Sequence, residues 1–436
     1  MNTTRQRTFL RLPLLAAILA AFGGNPAALA QSAETALADA GNYTVQVRTT
    51  IFYPFMSDNR GTLRGAGFVI DKARGWIVTN AHVASRSAAT ISVSFRNQAP
   101  IAARRVYVDP FLDFSLLAVD RKDLPDDVRD ARLDCSEPPH SGAQVVAFGH
   151  PNGLAFTGSQ GIVSGLTSQF GPEYLQTDAA INAGSSGGPL IRLAGGLVTG
   201  INTGRLQKSQ GAGFALPMQY VCKIVDLLAA GRDPSPPRLE WRLFQASADA
   251  ATIKVARPGR AAALGLMAGD VIAAVNGKGD LVNETQVIHA MRGSRQVRLD
   301  VLRNGEKVAL QGELEASEPV LGRRGIAVSG MVLDDPSPEW MADIAPRGVF
   351  VEGVLPGTLA ENAEIEASDY IVAIDDTPTP DIATAEHALR EAAASTGRAR
   401  LTLQRTGGDK SNRAPFAWFE RMLTLDDLKP VRAEDL

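Results

Sequence analysis

Cysteine, histidine and excess charge are all scarce in this chain. Its 436 residues contain two Cys and five His, and the formal charge is −3 at pH 7. So even a balance of charge gives no electrostatic footprint for nucleic acid or an anionic membrane surface. Five His and two Cys without a Cys/His cluster supply no structural zinc site, so no metal or other cofactor is expected. Long apolar runs are missing as well. The N-terminal run Leu12 to Phe22 has about 11 residues where a bilayer-crossing helix needs ~20, and no later segment is long enough.

What is present is an ordinary globular composition, 45% hydrophobic and 21% charged. The length suits roughly two to four domains. Arg5, Arg7 and Arg11, the apolar run and Ala28-Leu29-Ala30 together read as an export signal over residues 1–30 with a small-X-small cleavage site. An uncleaved anchor is the alternative. The mature chain is then expected from Gln31, in an oxidising compartment such as a bacterial periplasm, with a polar, Ala-rich leader over 31–42.

The most informative stretch is Gln176 to Leu190, QTDAAINAGSSGGPL. A serine hydroxyl attacks poorly near neutral pH unless a base takes its proton and donors hold the developing negative charge. Glycines flanking Ser186 let the backbone turn sharply and aim N–H groups at one point. Ser186 is therefore the candidate nucleophile, with the N–H groups of Gly184 and Ser186 as candidate oxyanion donors. Read alone, the stretch has a blander alternative, a Gly/Ser turn between strands. Two upstream runs add the partners. WIVTNAHVAS (Trp76–Ser85) places His82 after a strand-like run, and DPFLDFSLLAV (Asp109–Val119) places Asp113 at the head of another. An imidazole, with an ordinary pKa near ~6.5, accepts and returns a proton near neutrality, and a buried Asp fixes its tautomer. The order His82–Asp113–Ser186 is that of chymotrypsin-like proteases rather than subtilisin or the α/β-hydrolases.

TNAHV, DPxxDFSLL, GHPNGLAFTGSQGIVSG, QTDAAINAGSSGGPL and GAGFALP occur here in the order seen in the HtrA/Deg family of serine proteases, which this chain resembles over about residues 45 to 230. The resemblance implies an all-β, two-barrel protease domain over 43–232, with His82, Asp113 and Ser186 as triad. It also implies an exported endoprotease acting on misfolded or exposed polypeptides, in protein quality control under stress. Ser185 stands where the family usually has Asn, Ala183 where Pro or a polar residue is common, and His150 where Asn is usual. A non-catalytic polypeptide-binding protein on the same scaffold is the rival reading, and the complete set of His, Asp and Ser argues against it. Six positions before Ser186 stands Ala180, an uncharged pocket residue that would not offset the desolvation of Lys or Arg, so cleavage after small or medium aliphatic residues is expected.

Short β-runs (GFVID, WIVT, TISVSF, RRVYV, FSLLAV) precede a charged connector, Arg121 to Ser141, and a second set (QVVAFG, GIVSGL, GPLIR, LVTGIN, GAGFALP) follows it. Apolar residues at helical spacing from Met218 to Ala230 predict a helix, and Asp233 to Pro237 a stiff linker. By resemblance, Cys135 in the connector and Cys222 on that helix form a disulfide, the alternative being two separate buried thiols. Tyr43, Phe52, Tyr53 and Phe55 are either a trimer contact, as the resemblance implies for a homo-oligomer, or ordinary barrel aromatics.

The remainder carries an internal repeat. Pro258-Gly259 and Pro356-Gly357 lie 98 residues apart, and Asp270 and Asp369 lie 99 apart. Both copies resemble PDZ domains, giving two α+β modules over 238–317 and 318–427 and a tail over 428–436. Gly325 and Ile326 look like the loop and strand that take a peptide C-terminus by β-augmentation. The first copy has Trp241-Arg242-Leu243-Phe244 there, so peptide binding is expected of the second copy. Spacer or assembly modules are the alternative.

Overall fold

Six short strands close on themselves before residue 120. The computed structural model describes residues 34–55, 58–150, 156–169, 171–205, 212–245, 253–335, 348–406 and 416–432. The expected export signal and the first leader residues lie outside the described residues. The first barrel comprises β1 (Thr44–Tyr53), β2 (Gly61–Asp71), β3 (Trp76–Thr79), β4 (Ala88–Ser94), β5 (Ile101–Asp109) and β6 (Phe114–Val119), in the closed order β1-β2-β3-β6-β5-β4. All six residues of β6 are buried, which is why FSLLAV shows no alternation. The second barrel comprises β7 (Gln144–Gly149), β8 (Thr157–Thr167), β9 (Tyr174–Thr177), β10 (Pro189–Arg192), β11 (Leu197–Arg205) and β12 (Gly213–Pro217), closed as β10-β11-β12-β9-β8-β7. Closure removes the sheet edges.

Residues 34–40, expected as a polar leader, form a helix (α1) that buries Ala36 and Ala40 against the first barrel's core. A four-residue helix, α2 (Ala81–Ala84), follows β3, and α3 (Met218–Ala229) closes the second barrel. Cys222 on α3 is bonded to Cys135 of the connector, with Cα atoms 5.8 Å apart.

The first PDZ-like module is a sheet of β13 (Arg242–Gln245), β14 (Ile253–Arg257), β15 (Val271–Val275), β16 (Gln296–Arg303) and β17 (Glu306–Glu313), strung in sequence order, with α4 (Glu284–Met291). The second has β18 (Arg324–Val328), β19 (Met331–Asp334), β20 (Val349–Val354), α5 (Leu359–Asn362), β21 (Tyr370–Ile374), β22 (Thr377–Pro378), α6 (Ile382–Ser395), β23 (Arg398–Thr406), β24 (Phe416–Thr424) and β25 (Lys429–Arg432). Its sheet runs β24-β23-β21-β20-β19-β18-β25, with β22 beside β21. Lys429–Arg432, expected as tail, is therefore part of the sheet.

The repeat has a physical basis in two equivalent ion pairs. Asp270 takes both a guanidinium Nε (2.8 Å) and Nη2 (2.7 Å) from Arg303, and Asp369 takes the same two from Arg405 (2.6 and 2.8 Å). Each Asp also accepts from the backbone N–H three residues before it, that of Met267 or Glu366, at 2.9 Å. The carboxylate thus staples the turn after Pro-Gly to a later strand. The helices match too: Asn283 caps α4 and Asp381 caps α6, each accepting from an N–H three residues on.

Candidate active site

His82 and Asp113 stand at the same end of two paired strands, just after β3 and just before β6, where Thr79 pairs with Ser115. Helix α2 starts where β3 ends, and the turn before β6 holds Asp113 at φ 53°, a left-handed conformation that Asp tolerates. Four contacts fix the pair. The Asp113 carbonyl accepts from Ala81 N (3.1 Å) and Asn80 Nδ2 (2.9 Å). Its carboxylate accepts from His82 N at 2.9 Å and lies 2.6 Å from His82 Nδ1. A carboxylate at Nδ1 selects the tautomer that leaves Nε2 as acceptor. The imidazole is half-exposed and the carboxylate mostly buried.

The serine loop is built by close approaches. A Cβ at Gly187 (φ 86°) would meet the Ala66 carbonyl at 2.1 Å, and one at Gly188 would meet the Phe148 carbonyl at 2.2 Å. Only glycine fits both places, which explains the Gly-Gly after Ser186. Ala66 N donates to the Ser186 carbonyl at 2.7 Å, and Gly187 N and Asn202 N tie the loop to β11 and to Gly188, each at 2.8 Å. Gly184 has φ 98°, its carbonyl accepts from His150 N at 3.2 Å, and Ser185 N turns back to Asn182 O at 2.8 Å. No hydrogen bond within the described residues engages the N–H of Gly184 or Ser186. The Ser186 hydroxyl donates to the Thr203 carbonyl at 3.0 Å.

Ala180 is exposed between two core residues, Ala179 and Ile181, and its N–H donates to Ser159 Oγ at 3.0 Å. No acidic side chain stands at this position. His150 is buried with its ring edge-on to Phe156 (4.7 Å between centroids), and burial pushes its pKa down to about 4. The turn that follows His150 lies outside the described residues. Burial, and then the charge of Asp113, push Tyr174 up to about 12.

Several residues that hold the site gave no signal in the sequence. Asp58, in the turn between β1 and β2, accepts at Oδ2 from Ser85 Oγ (2.7 Å), Arg86 N (2.8 Å), Ser87 N (3.2 Å) and Ser87 Oγ (2.8 Å). One carboxylate thereby clamps the segment leaving the His82 helix. Arg105 Nη1 adds bonds to the Ser85 and Ser87 carbonyls at 2.9 and 2.6 Å. These contacts span loops whose sequences carry no pattern linking them.

The four N-terminal aromatics divide. Tyr43 is in the core and Phe55 is buried in an apolar seal with Ala88, Ala327, Val332 and Val431, against which Tyr53 packs. Only Phe52 of the four is exposed. Most of the cluster is thus spent inside the chain rather than on an outer contact. The peptide-accepting strand also departs from expectation. Gly325 and Ile326 lie in β18, which pairs with β19 on one edge and β25 on the other, so neither edge is open. In the first module β13 pairs only with β14 among the described residues. Beside it Trp241 Nε1 donates to Glu284 Oε1 of α4 at 2.9 Å.

Comparison with known proteins accords with this geometry. Residues 65–201 match the model of the trypsin-like peptidase domain, and residues 314–404 match that of the PDZ domain. A probable periplasmic serine endoprotease, DegP-like, of Marinomonas sp. (strain MWYL1) is 30% identical over 345 residues, 71% of this chain and 70% of that protein. The periplasmic serine endoprotease DegP of Escherichia coli (strain K12) is 29% identical over 343 residues, covering 73% and 70%. Among solved structures, the HtrA-type protease AlgW with tripeptide superposes with a TM-score of 0.53 at 28% identity, covering 66% of this chain and 97% of that one.

Proposed function

The chain belongs to the family of DegP-like, HtrA-type serine endoproteases, and from that premise we propose that His82, Asp113 and Ser186 carry its peptide-bond hydrolysis. The observation behind this reading is the 2.6 Å contact of His82 Nδ1 with Asp113, which leaves Nε2 to receive a proton. Ser186 Oγ leaves the Thr203 carbonyl, gives its proton to Nε2 and bonds to the scissile carbonyl carbon. The carbonyl oxygen becomes an oxyanion held by the N–H groups of Gly184 and Ser186. The imidazolium then protonates the leaving amine, and water hydrolyses the acyl-enzyme by the same path.

Ala180 gives the pocket no charge, favouring small or medium aliphatic residues before the cleaved bond. The substrates are unfolded or misfolded polypeptides of the periplasm, where the named relatives work. No described helix is long and apolar enough to cross a membrane. The protease unit spans 43–232, with modules at 238–317 and 318–427 joined by 233–237. Polypeptide segments and C-termini pair with Gly325 and Ile326 of β18 when β25 gives way. A trimer would use Phe52, the exposed member of the aromatic cluster.

Wild type is expected to label at Ser186 with a fluorophosphonate and to cleave casein. Ser186→Ala should lose both, with turnover down by more than about a thousandfold and folding intact. Casein cleavage by purified Ser186→Ala at a rate near wild type would refute the assignment.

A further inference from the structure

Strand β25 is an unusual terminus for a sheet. It pairs antiparallel with β18 in the register Arg324–Arg432, Gly325–Val431, Ile326–Pro430 and Ala327–Lys429. Of its four residues only Val431 is buried; Lys429 is half-buried, and Pro430 and Arg432 are exposed. Pro430 has no N–H to donate, which discourages further strand pairing on the outer edge. The Val431 side chain enters the seal formed by Phe55 and Ala88 of the first barrel and Ala327 and Val332 of the second module. Lys429 Nζ sits 5.0 Å from the centre of the Tyr53 ring and 2.8 Å from Asp427.

The chain just before β25 is anchored separately. Ser329 N donates to the Asp426 carbonyl at 2.7 Å, and Asp426 N donates to Ser329 Oγ at 3.0 Å. Asp427 follows at φ 48°. The strand is thus a short flap hinged after Asp427, held by the four-residue ladder, the buried Val431 and Lys429 over Tyr53. Ordering four residues costs conformational entropy of the same order as those contacts return.

We propose that β25 is an intramolecular ligand of the second PDZ-like module, which takes up an extended polypeptide segment at β18 by exchange with it. This rests on the reading that β18 is a peptide-accepting strand. The incoming segment lies antiparallel to β18 and places a β-branched aliphatic side chain where Val431 sits. A cation two residues before that side chain faces Tyr53 and Asp427. Main-chain pairing supplies affinity, and these two side-chain positions supply selection.

The test uses a fluorescein-labelled peptide of the sequence Leu428–Leu436 and three proteins: the full chain, the chain ended after Asp427, and full-length Val431→Asp. Fluorescence anisotropy should show saturable binding to the truncated chain and to Val431→Asp, at least tenfold tighter than to the full chain. Amide exchange over residues 324–327 should rise in both variants. Equal binding to all three proteins overturns the proposal. Unchanged exchange in Val431→Asp overturns it by showing that the strand stays in place. Raised exchange with no peptide taken up overturns it together with the peptide-accepting reading of β18. Casein cleavage dependent on Ser186, measured alongside, reports the protease assignment independently of all these outcomes. If the truncated chain does not fold, Val431→Asp decides alone.

Discussion

The first PDZ-like module meets the protease unit through a set of buried polar groups, the second through apolar patches. Arg292, just after α4, is 1% exposed and lies 2.5 Å from Asp109 at the end of β5, itself 2% exposed. Its other nitrogen donates to the Pro234 carbonyl at 3.0 Å. Glu173, in the loop between β8 and β9, accepts from Asn283 (2.5 Å), Gln286 (3.2 Å) and the Tyr220 hydroxyl, while its N–H donates to Thr285 Oγ1 at 2.8 Å. Lys223 of α3 donates to the His289 carbonyl at 2.6 Å. At the second module the corresponding contacts are two apolar patches, one of Phe55, Ala88, Ala327, Val332 and Val431, the other of Ala81, Val108 and Val320. A buried ion pair such as Arg292–Asp109 favours one arrangement, because a buried charge without its partner is costly. An apolar seal and a ladder edge can be satisfied by another segment of similar shape. The two modules therefore differ in how strictly their contacts specify one arrangement.

Breaking the polar side should have the largest effect. Arg292→Ala strands Asp109 and should cost about 3–5 kcal/mol of stability in chemical denaturation. Arg292→Met with Asp109→Leu should lose much less, since both charges go together. A double variant as unstable as the single one would show that something else holds the first module.

The apolar side should respond more locally. Phe55→Ala empties the seal and should cost about 3 kcal/mol. Amide exchange should rise over β18 and β25 and stay unchanged over α4. A rise spread equally over both modules would mean that the two attachments are not independent.

The smallest effect should be a pH tilt of opposite sign in the two modules. Burial, reinforced by the cations Lys223, Arg292 and Lys278, pushes His289 down to about 3. A depressed histidine gives stability that is full above ~6.5 and lost as pH falls toward about 3. Asp334 in β19 is fully buried; desolvation pushes it up to about 6, opposed by the Arg323 ion pair at 3.0 Å. A raised carboxyl gives stability that is full below ~4 and lost as pH rises through about 6. Between pH 6.5 and 4.5 the first module should loosen and the second tighten, each by on the order of 1–2 kcal/mol. Exchange rates over α4 and β19 at the two pH values, corrected for intrinsic rates, would measure it. Parallel changes would contradict the assignment of these two groups.

The strands and the serine loop could be read from the sequence because their causes are local. FSLLAV and QVVAFG are apolar runs of strand length, and Gly-Gly after Ser186 answers to two close backbone approaches. The Pro-Gly and Asp of the repeat were visible, but their partners Arg303 and Arg405 were not, since each acts across more than thirty residues. Asp58 was missed for the same reason: a turn aspartate looks alike whether it faces water or four donors.

By itself the sequence offered the strand runs of both barrels, the repeat behind the two modules, the helix after the second barrel, and the candidates His82, Asp113 and Ser186. Those features follow from periodicity, turn chemistry and residue type along neighbouring positions. The tertiary structure alone decided where the Ser186 hydroxyl points and which module is locked by ions. It alone decided that Lys429–Arg432 fills an edge expected to be open. A strand edge, a buried charge and a hydroxyl rotamer each take their state from whatever arrives beside them, and those neighbours come from distant parts of the chain.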